Sequence, residues 1–171
     1  LTAAAVAYGV GDALEMDVTG LLSRAEPTDV QIVGVAQYFE WTDSVGNYNM
    51  SNYCAATTGL TVTAYYVPVD NVIFSVVADD LAANLASTDR GANFNFVATA
   101  PNSTTGVSKM ELDTDSIHTA GTLPLKLLGL VDRIGNDYST TIKTVQGTST
   151  VEVEVIFNAH WSHPGTTGQT T

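Results

Sequence analysis

No apolar run in this chain goes far before a turn former stops it: GVGD, EPTD, SVGNYN, ATTG, PVDN, APNSTTG, GTLP, RIGND and QGTST punctuate its length. The runs between them are rich in Val, Ile, Thr, Tyr and Phe, and several alternate with a period of two, so that one face packs while the other meets water. TVEVEVIFNAHW (150–161) alternates most cleanly, with Val151, Val153 and Val155 on one face and Glu152, Glu154 and Ile156 on the other. VQIVGVAQYFEW (30–41) reads as a strand in which Gly34 marks a bulge or a close backbone approach. TVTAYYV (61–67) and NVIFSVVA (71–78) flank a turn or kink at Pro68; NFNFVATA (93–100) and PLKLLGLV (124–131) are two more strands.

Helix signals are weak. DALEMDVTGLLSRA (12–25) is compatible with one helix capped by Asp12, although Val18, Thr19 and Gly20 weaken its middle. ADDLAANLA (78–86) has the spacing for a turn or two. Many short strands with turns about every 8–12 residues point to an all-β chain, an antiparallel β-sandwich or barrel, with a jelly roll among the options. The 171 residues suit one domain with an arm: residues 1–29 read as an N-terminal arm, partly helical, 30–161 as the β-domain and 162–171 as a flexible tail.

Charge narrows the partners. Six Lys plus Arg against 18 Asp plus Glu give a formal net charge of −12. The basic residues, Arg24, Arg90, Lys109, Lys126, Arg133 and Lys143, form no cluster, so neither phosphate neutralisation on a nucleic acid nor docking to an anionic membrane is expected. No apolar run reaches the roughly 18 residues of a spanning helix, and the opening LTAAAVAYGVGDALEMD lacks the basic start of a signal peptide. Cys54 stands alone, which excludes an intrachain disulfide; it is expected to be a small buried hydrophobe, the alternative being a nucleophile with a histidine base that the fold brings near.

The stretch with most chemistry is MELDTDSIH (110–118). On a strand Glu111, Asp113 and Asp115 share one face, and Met110, Leu112 and Thr114 the other. That arrangement suits a solvated edge, a cation pocket or an acid/base pair; the carbonyl ligands and glycine turn of a calcium loop are missing, so the solvated edge is the expectation. Asp79-Asp80 and Asp89-Arg90 follow a strand and suit turn or cap roles. His160-x-x-His163 has a short spacing but no third ligand beside it, and His118 is remote in sequence. Trp41, Trp161 and Tyr65-Tyr66 are candidates for stacking a sugar, or for core. No GxSxG, P-loop, GxGxxG, HExxH or CxxC is present, and Asn102-Ser103-Thr104 fits a glycosylation acceptor. No catalytic residue, cofactor or metal is expected.

The ordered series GVAQYFEWTDSVGNYNMSNY, VVADD, GANFNFVATAPNSTTGVSKMELD, LPLKLLGLVDRIGNDYS and VEVIFNAHW spans residues 30–161. It resembles small all-β virion proteins encoded beside the major capsid protein in tailed, especially marine, bacteriophages. The resemblance implies a non-enzymatic decoration (cement) protein on the outer surface of the head, made in the host cytoplasm. Its implied partners are the major capsid protein and copies of itself, with a trimer favoured. The alternative from a different class is a glycan-binding module, such as a head fibre or host-attachment domain, built on the aromatics and the acidic MELDTD face.

Overall fold

The computed structural model describes residues 2–3, 6–27, 29, 31–56, 60–79, 85–134, 136, 138 and 151–168. The chain is all-β; among the described residues the one helical element is a 3₁₀ turn at Ser87–Asp89. It divides into two compact units, Leu1–Val69 with Ala98–Met110 and Asp70–Val97 with Glu111–Thr171.

The first unit holds β1 (Thr2–Ala3), β2 (Tyr8–Gly9), β3 (Ala13–Met16), β4 (Leu22–Arg24), β5 (Ile32–Thr42), β6 (Tyr48–Ser51), β7 (Tyr53–Cys54) and β8 (Thr61–Pro68). Six strands pair in the order β3-β4-β1-β8-β5-β6, and β2 pairs with β7. Strand β5 organises the sheet. Along one edge it meets β3 through Ala13↔Val35 and then β6 from Phe39↔Ser51 to Thr42↔Tyr48. Along the other it meets β8 from Gly34↔Pro68 to Trp41↔Val62. The sheet curls, but among the described residues its circuit is joined at β1 and β4 by the single parallel pair Thr2↔Leu22, and it is not a closed barrel. Tyr8, Leu14, Leu22, Val33, Ala36, Phe39, Cys54 and Val62 form its core, with Tyr8 tilted against Phe39 at 5.7 Å between ring centroids. Each such side chain contributes roughly 1.5–3 kcal/mol by leaving water. Cys54 is the buried hydrophobe expected, and burial pushes its thiol up. Gly34 is a close approach: a Cβ there would meet the Tyr66 ring and lie 2.7 Å from the Val67 carbonyl oxygen.

The expected arm is part of this unit. Residues 12–25 form no helix; they are the β3–β4 hairpin, because Asp17 turns the chain. Its Oδ1 accepts the N–H groups of Thr19 (2.8 Å) and Leu21 (3.0 Å), and Gly20 takes φ +78°. Asp43 builds the β5–β6 loop the same way, accepting from Val45 (3.0 Å) and Asn47 (2.8 Å) with Gly46 at φ +92°. These donated hydrogen bonds hold both carboxyls below the usual range. Asp12 caps no helix: it is fully buried and its Oδ2 accepts the Gly9 N–H at 2.8 Å, which pins the β2–β3 turn. Pro68 does not break the ladder but ends β8 opposite Gly34.

The second unit holds β9 (Phe74–Val77), β10 (Asn93–Val97), β11 (Glu111–His118), β12 (Leu125–Leu130) and β13 (Glu152–Phe157) in the order β11-β10-β12-β13-β9. The alternation of β13 is realised: Val151, Val153, Val155 and Phe157 are buried while Glu152, Glu154 and Ile156 are half-buried on the other face. Phe94, Phe96, Leu112, Leu125 and Leu127 complete the apolar interior, and Phe74 meets Phe157 edge-on at 5.4 Å.

Side chains finish the ladders where strands stop. Just past β9, Ala78 forms one parallel bridge to Leu112. Asp79 then donates its N–H to the Leu112 carbonyl at 2.9 Å. Its Oδ1 accepts from the Thr114 N–H (3.0 Å) and hydroxyl (2.7 Å), taking the place of a backbone carbonyl. Beyond β12, the Asn136 carboxamide pairs with both backbone groups of Glu152, at 2.7 and 2.9 Å, and with the Val131 carbonyl at 2.8 Å. Asp89 turns its segment by accepting the Ala86 N–H at 2.6 Å. Residues 80–84 of the expected 78–86 helical turn, Asp80 included, lie outside the described residues.

The expected flexible tail is packed over residues 162–168. Buried Asn158 accepts from the Thr166 N–H (2.9 Å) and donates to the carbonyls of Gly121 (3.0 Å) and Leu123 (3.2 Å). Buried Asn93 donates to Ala120 (2.9 Å) and Thr166 (2.8 Å). Two asparagines therefore staple the 119–123 loop and the tail to one sheet.

Replacing Asp79 by Ala strips Thr114 of both partners in a dry site, and is expected to lower stability by about 2–4 kcal/mol. Asp79→Asn keeps an acceptor oxygen and should lose less than half of that. Urea unfolding followed by far-ultraviolet circular dichroism reads both; an Asp79→Ala midpoint equal to that of the parent would contradict the clasp.

Candidate functional site

The MELDTDSIH stretch is a strand from its second residue to its last, β11 covering Glu111–His118. Leu112 and Thr114 face the interior, whereas Glu111 and Asp113 are half-buried and Asp115 is exposed. Its pairing with β10 slips. Asn95 faces Asp113 but Asn93 faces His118, so β11 carries extra residues in a bulge. Ser116 repairs the gap by accepting the Asn95 N–H at 2.8 Å and donating to the Asp113 carbonyl at 2.6 Å. The hydroxyl therefore closes a ladder. His118 Nδ1 accepts the Ala120 N–H at 3.0 Å, which requires a neutral ring with its proton on Nε2.

The bulge opens a hollow of about 460 Å³ lined by Asn95, Asp115, Ser116, Ile117, His118, Ala120 and Leu123. Burial raises the Asp113 carboxyl, and the charges of Asp79 and Asp115 raise it further. Among the described residues no three His, Cys, Asp or Glu side chains gather to hold a metal ion. The strand carries its carboxylates outward, as the alternation requires.

His160 and His163 do meet, in a tight turn whose backbone groups pair reciprocally at 3.0 and 2.9 Å. Two further members of the cluster, Asp70 and Ser162, carry no signal in the sequence. Ser162 donates to Asp70 Oδ1 at 2.6 Å, and His160 Nδ1 lies 3.7 Å from the same oxygen and 3.3 Å from Ser162 Oγ. Serine, histidine and aspartate thus gather without the order of a nucleophilic relay. Serine and aspartate approach one ring nitrogen, whereas a relay needs them on opposite ones. The arrangement fixes the turn.

The aromatics regroup as well. Trp41 packs against the first core, and Trp161 is half-exposed in the histidine turn of the second unit. Tyr65 joins Tyr38 and Tyr48, residues on neighbouring strands. Tyr38 stacks on Tyr65 at 4.2 Å and 10°, and the Tyr65 hydroxyl donates to Glu40 Oε2 at 3.0 Å. Glu40 also raises the Tyr48 phenol through a hydrogen bond. Opposite Glu40 on the neighbouring strands stand Met50 and Thr63, and opposite Thr42 stands Tyr48. Tyr48 and Met50 are each 65% exposed. The outer face of β5, β6 and β8 is therefore an aromatic and thioether surface with one carboxylate near its middle. Two of its rings cover each other, so the expected sugar-stacking set is not assembled here. Period-two reading marks this face as outward, but cross-strand register, which places Tyr38, Tyr48 and Tyr65 together, lies beyond a single sequence.

Comparison with known proteins finds no matching family model, no matching curated protein and no matching solved structure.

Burial holds the His160 imidazole below its usual range; Asp70 opposes the shift and His163 adds to it. A base depressed in the folded state contributes stability that is complete above the unfolded pKa of about 6.5 and is lost as pH falls through the folded value. His160→Gln is expected to flatten the decline in unfolding midpoint between about pH 7 and 5. Parallel declines in variant and parent would remove His160 as the cause.

Proposed function

We propose that the chain is a structural virion protein, a decoration (cement) protein that binds the outer surface of a phage shell and stabilises it without catalysis. The partners on this reading are the major capsid protein and further copies of the chain, as a trimer. The motif series over residues 30–161 motivates it, and the structural observation that carries it is the outer face of β5, β6 and β8. Tyr38, Tyr48 and Tyr65 offer large, stiff, amphipathic area and Met50 a flexible apolar thioether, residue types enriched at protein interfaces. Glu40 is the one charged group among them, suited to a basic side chain on the shell. The net charge of −12 favours the outside of the head, away from packaged DNA.

Stabilisation needs no chemistry. A protein that binds the assembled shell and not its separated subunits shifts the assembly equilibrium by mass action. Repetition over many equivalent sites multiplies the effect.

The test is binding of purified protein to shells assembled without it. The double variant Tyr48→Thr, Met50→Thr removes two exposed side chains without setting a like charge opposite Glu40, and should lower shell affinity at least about tenfold with little change in the unfolding midpoint. Shells that bind parent and variant alike would exclude this face, and shells that bind neither would exclude the proposal.

A further inference from the structure

The hollow beside the β11 bulge has a built character that the shell-binding reading does not use. Its walls are fixed from behind. Asn93 and Asn158 hold the carbonyls of Ala120, Gly121 and Leu123, and Ser116 locks the bulge between Asp113 and Asn95. It is a shallow, open depression of about 460 Å³, wide enough to take one face of a small ligand, and Ile117, Ala120 and Leu123 supply apolar wall. The polar groups at its rim are few and of mixed sense. Asp115 is exposed, and its carboxylate brings acceptors only, while its backbone N–H is taken by Asp113 Oδ1 at 3.1 Å. His118 brings a donor, Nε2–H, because its Nδ1 is occupied by Ala120. Asn95 has a carboxamide oxygen with no hydrogen-bond partner.

A ligand for this set must donate to Asp115 and Asn95, accept from His118 and lay an apolar face on Ile117 and Leu123. An ammonium group donates but cannot accept, so it leaves the histidine donor unmatched. A carboxylate or phosphate accepts but is repelled by Asp115 in a chain of net charge −12. Hydroxyl groups do both, and a pyranose carries them around a ring with a C–H face. We infer that the hollow between the β11 bulge and the 119–123 loop is a saccharide subsite, in which Asp115 accepts two neighbouring hydroxyls. His118 Nε2–H donates to a ring or glycosidic oxygen. Asn95, by a turn of its carboxamide, receives the hydroxyl proton that its oxygen lacks. A glycan site read from the sequence rests on the aromatics and the acidic MELDTD face together; the subsite in the hollow keeps Asp115 of that face and uses none of the aromatics. This inference goes beyond shell attachment and does not depend on it.

The test uses the full chain and three probes: methyl α-D-glucopyranoside, methyl β-D-galactopyranoside and methyl N-acetyl-β-D-glucosaminide. Each is titrated to about 50 mM, against methylammonium chloride as the cationic competitor, with amide shifts and saturation transfer read by NMR. At least one glycoside is expected to bind in the millimolar range and shift the amides of residues 115–123. Asp115→Ala, at an exposed position, should weaken it about tenfold, the loss of a charge-assisted hydrogen bond, with the unfolding midpoint unchanged. No shift with any of the three glycosides would overturn the inference. So would glycoside binding that ignores Asp115→Ala, or methylammonium occupying the hollow as tightly as the sugars.

Discussion

Short strands leave many backbone groups at their ends, and every buried one needs a partner. In this chain that demand is met by polar side chains. Asp79 accepts where β9 has run out of backbone, Asn136 pairs with both groups of Glu152 beyond β12, and Ser116 bridges the slipped register of β10 and β11. Asn93 and Asn158 do the same for a loop and for the tail. In the first unit Asp17 and Asp43 gather the N–H groups of two hairpin loops. Each such hydrogen bond matters, since a dry unpaired N–H costs about 1–3 kcal/mol.

The same constraint explains what was legible in the sequence. The period-two runs contain the strands β5 (Ile32–Thr42), β8 (Thr61–Pro68), β10 (Asn93–Val97) and β13 (Glu152–Phe157), because alternation of apolar with polar residues reports a half-buried sheet directly. The 12–25 segment misled because its Ala and Leu spacing fits a helix, while the deciding fact is the ring of hydrogen bonds that Asp17 makes around Gly20. The tail misled for a related reason: SHPGTTG has a disordered composition, and the asparagines that hold it lie at positions 93 and 158. Side-chain substitutes for backbone partners leave no periodic trace.

Site residues divide along that line too. The outward face of Glu111, Asp113 and Asp115 follows from alternation alone. The hollow does not, because it exists only where β11 slips against β10 and the 119–123 loop is tied down. Likewise Tyr38, Tyr48 and Tyr65 share a face through register. One unit thus presents an aromatic surface, and the other a shallow depression with apolar wall from Ile117, Ala120 and Leu123 and a few polar groups at its rim.

The central claim is that this chain decorates a shell in many equivalent copies, and copy number is the direct measure of it. Quantitative mass spectrometry of purified particles against the major capsid protein should give a ratio of about one, or a simple fraction of it, as binding at every equivalent site requires. A few dozen copies or fewer per particle would assign the protein to a vertex, fibre or tail. Absence from the particles would contradict the account.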